Sequence, residues 1–241
     1  MKLLAHLEKN KQFWSIIFIC IVFFILRLPS IIEPHWYGDE GIYQVIGQAL
    51  HQGQILYRDI WDNKPPLLYV LYAFANGDQG TVKIWSLIFG LVSIPVFFFL
   101  TQKLFQSQKV STISTFIYAV LFGSPFLEGN IANAENFMLL LIISSGLLIY
   151  SSIDRMQNMR KIKSEKVPLF VAGLILGIAF LFKIVAIFDT AAFTLFILFI
   201  SITKFSKKSV QQALISILPI IGGFIVPFVL SLVYFSLQGI L

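Results

Sequence analysis

Residues 65–76 read PPLLYVLYAFAN, a twelve-residue apolar segment behind a double proline. A helix that crosses a bilayer needs about 20 mainly apolar residues, with a range of roughly 17–25. Whether this short segment crosses decides the topology of everything after it. Seven other apolar runs are candidate spans: about 12–28, 82–102, 110–127, 137–153, 168–186, 188–203 and 211–236, of which the third and sixth are short.

Charge settles the parity. If 65–76 lies along the membrane surface, the cytoplasmic segments carry Lys2, Lys9 and Lys11, then Lys103 and Lys109. Next come Arg155, Arg160, Lys161, Lys163 and Lys166, and last Lys204, Lys207 and Lys208. These are 13 of the 18 basic residues, as the positive-inside rule asks. Nine of the 12 acids then fall outside: Glu33, Asp39, Glu40, Asp59, Asp62, Asp78, Glu128, Glu135 and Asp189. A crossing 65–76 would put the five-charge loop 154–166 outside, against that rule. The reading is an all-α polytopic membrane protein, one module over 1–241, with seven spans. A large external loop covers 29–81 and a small one 124–136, and the N-terminus is cytoplasmic.

Composition agrees. Hydrophobic residues make up 57% of the 241 positions and charged residues only 12%, about half the share of a soluble domain. The net charge of +6 comes from clusters between apolar runs, so no nucleic-acid surface is expected. Cys20 is the only cysteine, which excludes an internal disulfide framework. The basic, apolar N-terminus lacks a small-x-small cleavage site and reads as an uncleaved first helix rather than a signal peptide.

The polar residues gather in the expected external loops. Gly38-Asp39-Glu40 follows Trp36 and Tyr37 and opens an expected helix over about 39–51, closed by Gly53. Asp39 is either a first-turn acid favoured by the helix dipole or a general base with a raised pKa at a low-dielectric boundary. Glu40, adjacent on a helix, points elsewhere and is a second catalytic candidate with a different task. The stretch 57–69, YRDIWDNKPPLLY, then concentrates Tyr57, Arg58, Asp59, Asp62 and Lys64. Arg58 and Lys64 suit a phosphate, by fork and by point charge, or else pair with Asp59 and Asp62. Trp61, Tyr57 and Tyr69 fit interfacial aromatics. Glu128 and Glu135 flank the small loop in FLEGNIANAENFM, Glu135 capping the next helix or serving a site. Lys183, inside the apolar GIAFLFKIVAIFD, must snorkel, pair with Asp189 or Glu135, or bind a ligand. The sequence has no GxGxxG, Walker, HExxH or GxSxG motif, and His6, His35 and His51 lack metal-ligand spacing.

The ordered set GDE-x2-Y, G-x3-YRD-x2-DNKPPLLY, PFLEGNIANAENFMLL and GIAFLFKIVAIFD resembles the PMT_2-like glycosyltransferases of the GT-C superfamily, which include protein O-mannosyltransferases and aminoarabinose transferases. The resemblance covers about 12–200. It implies a cell-envelope enzyme of the plasma (inner) membrane that moves a sugar from a polyprenyl-phosphate donor to a hydroxyl of a lipid, glycan or protein. Transfer would occur on the external face with inversion. It implies a catalytic role for Asp39, a donor-phosphate contact for Lys64 and for Arg58, and a matching lysine at Lys183. Asn63 stands where some relatives carry an acid implicated in metal binding, so a divalent metal stays open without that ligand. No other cofactor is expected. Relatives continue through further spans, so the chain is expected to be an N-terminal part. The competing readings are a transporter or flippase-like protein, which would use Lys183 and Glu135 as intramembrane groups, and a noncatalytic subunit or inactive fragment.

Overall fold

The computed structural model describes residues 11–33, 37–159, 165–201 and 207–240. Lys2, Lys9, His6, His35, Trp36, Arg160, Lys161, Lys163 and Lys204 lie outside the described residues, as do the side chains of Lys207 and Lys208. Within the described residues the chain is all-α, with nine α-helices. In order these are α1 (Lys11–Ile32), α2 (Gly38–His51), α3 (Leu67–Phe74), α4 (Gln79–Phe105), α5 (Gln108–Gly123), α6 (Ala134–Met159), α7 (Lys166–Phe182), α8 (Ala186–Ser201) and α9 (Lys207–Leu237). A 3-10 turn at Pro125–Leu127 precedes α6.

Each of the seven apolar runs carries a helix. Four of them, α1, α4, α6 and α9, are long and apolar enough to cross a membrane, and α7 and α8 are shorter apolar helices. The chain is therefore an integral membrane protein. The segment 65–76 yields only α3, eight residues long. At 1.5 Å per residue that is about 12 Å, far short of a bilayer core of about 30 Å.

Local chemistry sets the boundaries. Asp78 caps α4 by accepting from Thr81 N at 2.7 Å, and Ser107 caps α5 through Val110 N at 3.4 Å. Gly53, at φ +91°, turns the chain away from the end of α2 in a conformation that favours glycine. The run 168–186 differs from expectation. Its helix ends at Phe182, and Lys183 is extended at φ −154°, ψ 131°. The break takes Lys183 out of the helix and lets its ammonium reach Glu135 at the start of α6.

Three apolar cores hold the bundle. Ile19, Phe23, Leu87, Ile94 and Ala119 join α1, α4 and α5. Ile149, Leu169, Leu176, Ile197, Ile217 and Ile220 join α6 to α9. The third core lies under α2 and α3, where Tyr43, Leu68, Tyr69, Tyr72, Phe137, Phe182 and Phe235 meet. Arg155 clamps the far end with a two-pronged bond to Glu165, Nε–Oε1 3.0 Å and Nη2–Oε2 2.7 Å.

Without a hydrophobic drive between helices in lipid, close association depends on small residues that let backbones touch. Gly173 and Gly177, four apart on α7, provide that against α9. A Cβ at Gly173 would stand 2.1 Å from the Ile220 carbonyl oxygen, and one at Gly177 would stand 2.5 Å from that of Phe224. Gly223 returns the contact, 2.1 Å from the carbonyl oxygen of Phe170. Gly173→Ala must push the two backbones apart and is expected to cost roughly 1–3 kcal/mol. Gly222→Ala, whose Cβ would meet only the Phe170 ring at 3.9 Å, is the control and is expected to leave the detergent-solubilised melting temperature within a degree or so of the parent.

Candidate functional site

One end of the bundle collects the candidate site residues named from the sequence. The end of α1, all of α2 and α3, the start of α4, residues 124–133, the start of α6 and the α7–α8 break meet there. Glu33 O accepts from Lys83 Nζ at 2.7 Å and from Gln79 Nε2 at 2.8 Å, while its carboxylate takes Asn130 Nδ2 at 3.0 Å. The Tyr72 hydroxyl donates to Ala132 O at 2.9 Å. Phe235, near the end of α9, packs on the Tyr57 ring at 5.0 Å between centroids.

Asp39 lies in the first turn of α2, and Tyr43, four residues on, shares its face. Lys64 reaches both across the loop. Its ammonium donates to Asp39 Oδ2 at 2.6 Å and to Tyr43 Oη at 2.6 Å, while Tyr43 Oη donates to Asp39 Oδ2 at 3.1 Å. The same ammonium lies 4.6 Å from the Tyr43 ring centroid. The Lys64 hydrogen bond holds the Asp39 carboxyl below its ordinary pKa, against burial, with the Lys64 and Lys183 charges and the Tyr43 bond adding to it. The sequence led us to expect a raised pKa from a low-dielectric boundary. The direct cation overrides that, because a hydrogen-bonded ammonium favours the carboxylate more than partial burial disfavours it.

The loop before α3 is built to place Lys64. Tyr57, at φ 68°, donates its hydroxyl to Lys64 O at 2.6 Å, and burial pushes that phenol up to about 12. Asp62 accepts from Asn63 N at 2.7 Å and from the Tyr69 hydroxyl. Pro65 and Pro66 lead directly into α3. Asp59 closes the preceding turn by accepting from Ile55 N at 2.8 Å. Arg58 Nε and Nη2 grip Asp59 at 2.9 and 3.0 Å, and this exposed pair is self-contained. Lys183 pairs with Glu135, not with Asp189. Glu128, in a left-handed turn, is exposed and lies near Tyr37, whose phenol it pushes up together with Asp39.

Asp39, Lys64, Lys183 and Glu135 are thus brought into one electrostatic neighbourhood, with Glu128 at its edge. Asp62 and Tyr57 support it. Arg58 and Asp59 pair with each other beside it. Glu40 faces another way. It is 1% exposed and accepts from Ala132 N at 2.9 Å, with Arg27 and Lys83 near enough to act on it electrostatically. Arg27, also 1% exposed, donates from Nη2 to Ser86 Oγ at 2.9 Å. The sequence reading passed over Arg27, Lys83 and the bridging hydroxyl of Tyr43. The rule that an intramembrane cation marks a site, applied to Lys183, would also have flagged Arg27 and Lys83. The four-residue spacing to Asp39 was the signal for Tyr43.

Beside Lys64 a pocket of about 480 Å³ opens between the loop, α7 and α9. Asp62, Asn63 and Lys64 line one side, and Phe180, Phe228 and Leu232 give it an apolar wall. Among the described residues, no three His, Cys, Asp or Glu side chains converge as a metal site.

An ammonium beside a carboxylate, at the mouth of an apolar pocket, suits an amphiphile with an anionic head. The chain belongs to the dolichyl-phosphate-mannose-protein mannosyltransferase family, whose model matches residues 60–239. It is thereby a membrane glycosyltransferase of a family that uses polyprenyl-phosphate-linked sugar. The match begins after α2, so it takes in Lys64, Glu135 and Lys183 but not Asp39. No curated protein and no solved structure matches the chain.

Removing the Glu40 carboxylate would strand buried positive charge. Glu40→Ala is expected to destabilise the detergent-solubilised protein by on the order of 3–5 kcal/mol, read as a drop in thermal midpoint. Pairing it with Lys83→Met removes one of the stranded charges and is expected to restore part of the loss.

Proposed function

We propose that this chain transfers mannose from a polyprenyl-phosphate donor to a protein hydroxyl, at the outer face of the plasma membrane and with inversion at the sugar carbon. The observation that carries this reading is the Asp39–Lys64 contact, made across 25 residues beside an apolar pocket. Family membership supports the donor and acceptor classes. The charge distribution of the sequence supports a seven-span topology with the site outside.

Asp39 takes the proton of the acceptor hydroxyl as its oxygen attacks the anomeric carbon. The bond to the phosphate oxygen breaks, and its electron pair leaves with the polyprenyl phosphate. Lys64 and Lys183 face the charge that grows there, and such fixed cations are worth most where water is scarce. The pocket wall of Phe180, Phe228 and Leu232 receives the isoprenoid next to its phosphate. A resting Asp39 held by Lys64 is a weak base. A donor phosphate that shares the ammonium loosens that hold and raises the basicity of Asp39 when the acceptor needs it. Arg58, bound to Asp59, contributes from the loop rather than from the centre.

Transfer from an isoprenyl-phosphate-mannose donor should fall about 10²–10⁴-fold in Asp39→Asn. Lys64→Ala should raise the donor KM. It should also move the acid limb of the rate profile to higher pH, since activity is lost as pH falls through the Asp39 pKa and Lys64 is what depresses that pKa. Full transfer by Asp39→Asn would sink the assignment of the base.

A further inference from the structure

Tyr43 stands in the middle of this centre without a role in the chemistry just described. Its side chain is 2% exposed, and its ring meets Tyr69 and Tyr72 edge-on at 5.9 and 5.6 Å between centroids. Its hydroxyl is both acceptor and donor, taking an N–H from Lys64 at 2.6 Å and giving its proton to Asp39 at 3.1 Å. With the 2.6 Å Lys64–Asp39 bond, the three groups close a cycle. An ammonium has three N–H donors, and the cycle occupies two of them. The third is left for a ligand.

We infer that Tyr43 is a positioning residue, which fixes Lys64 for the donor phosphate and keeps a hydrogen bond on Asp39 when the phosphate draws Lys64 away. The inference rests on the reading of Asp39 as base and Lys64 as phosphate contact. In a long flexible lysine, ordering the ammonium before the ligand arrives removes entropy that binding would otherwise have to cover. For Asp39, a retained donor keeps the carboxylate in one orientation toward the acceptor hydroxyl. The charged and titratable groups around Asp39 are Lys64 from the loop, Lys183 from the α7–α8 break, and Tyr37 and Tyr43 from α2 and its approach. Glu135 of α6, paired with Lys183, also acts on Tyr43. Of these, Tyr43 alone touches both ends of the Asp39–Lys64 pair.

The test uses Tyr43→Phe in the full chain, purified in detergent, with a synthetic isoprenyl-phosphate-mannose donor. Phenylalanine keeps the ring and its packing and removes only the hydroxyl. The donor KM is expected to rise about tenfold, the size of a lost hydrogen bond to a charged group. The acid limb is expected to move to higher pH, because one of the bonds that favour the Asp39 carboxylate is gone. The thermal midpoint should stay near the parental value. In a Lys64→Ala background, Tyr43→Phe should add little to the donor KM, since the partner it positions is missing. Tyr43→His, which restores a ring donor, should recover part of both shifts and serves as a second variant should the Phe protein accumulate poorly. A parental KM and acid limb in Tyr43→Phe, or additive effects with Lys64→Ala, would overturn the inference and leave Tyr43 a packing residue. If instead Asp39→Asn proves fully active, the base assignment falls, while the donor KM comparison still decides whether Tyr43 holds Lys64.

Discussion

A carboxylate withdrawn from water must find donors and positive charge, and Glu40 finds them on three sides. The amide of Ala132 binds it, and Arg27 from α1 and Lys83 from α4 lie near enough to act on it electrostatically. That single requirement ties α2 to the two spans before and after it and to the loop that opens α6. The same loop is tied back by Asn130 to Glu33 and by Ala132 to Tyr72. A short amphipathic helix has little apolar surface with which to fix its own tilt. Here buried charge fixes it, and Gly47 lets α3 approach so closely that a Cβ there would stand 2.6 Å from Tyr72 Cβ.

With α2 fixed from behind, its other face presents Asp39 and Tyr43 at a set height. Opposite-charge pairing then organises the front. Asp39 takes Lys64 and Glu135 takes Lys183, so two cations and two acids coexist without a net excess. An arriving dianionic or monoanionic head competes with carboxylates already in place, which disfavours ligands that cannot offer at least as good a partner. Half-exposed pairs of this kind contribute little to stability. Their value lies in where they hold charge, not in how much they stabilise.

The fold was legible in the sequence because membrane physics leaves few choices. Apolar run length located the helices, and 65–76 yields a helix of only eight residues. The break at Lys183 was not legible, since GIAFLFKIVAIF reads as an uninterrupted helix until a partner on α6 is known. In the site, residue type and motif order brought Asp39, Lys64, Glu135 and Lys183 forward. Partners in space then decided what each was held by. Lys64 chose Asp39 over the nearer Asp62, because Asp62 was already engaged by Tyr69 and by the loop backbone. Arg58 chose its own neighbour. The low basicity of resting Asp39 follows chiefly from that pairing, to which the bond from Tyr43, four residues on, adds.

The glycine contact between α7 and α9 has a consequence at the mouth of the bundle. Phe180 stands one turn beyond Gly177, and Phe228 and Leu232 stand one and two turns beyond Phe224, so one helix pair supplies both the seam and the pocket wall. Where backbones touch, the gap between two rods is set by atoms that cannot change rotamer. The helix spacing behind the pocket wall is then set deep in the bundle, by glycines that are not part of the pocket lining.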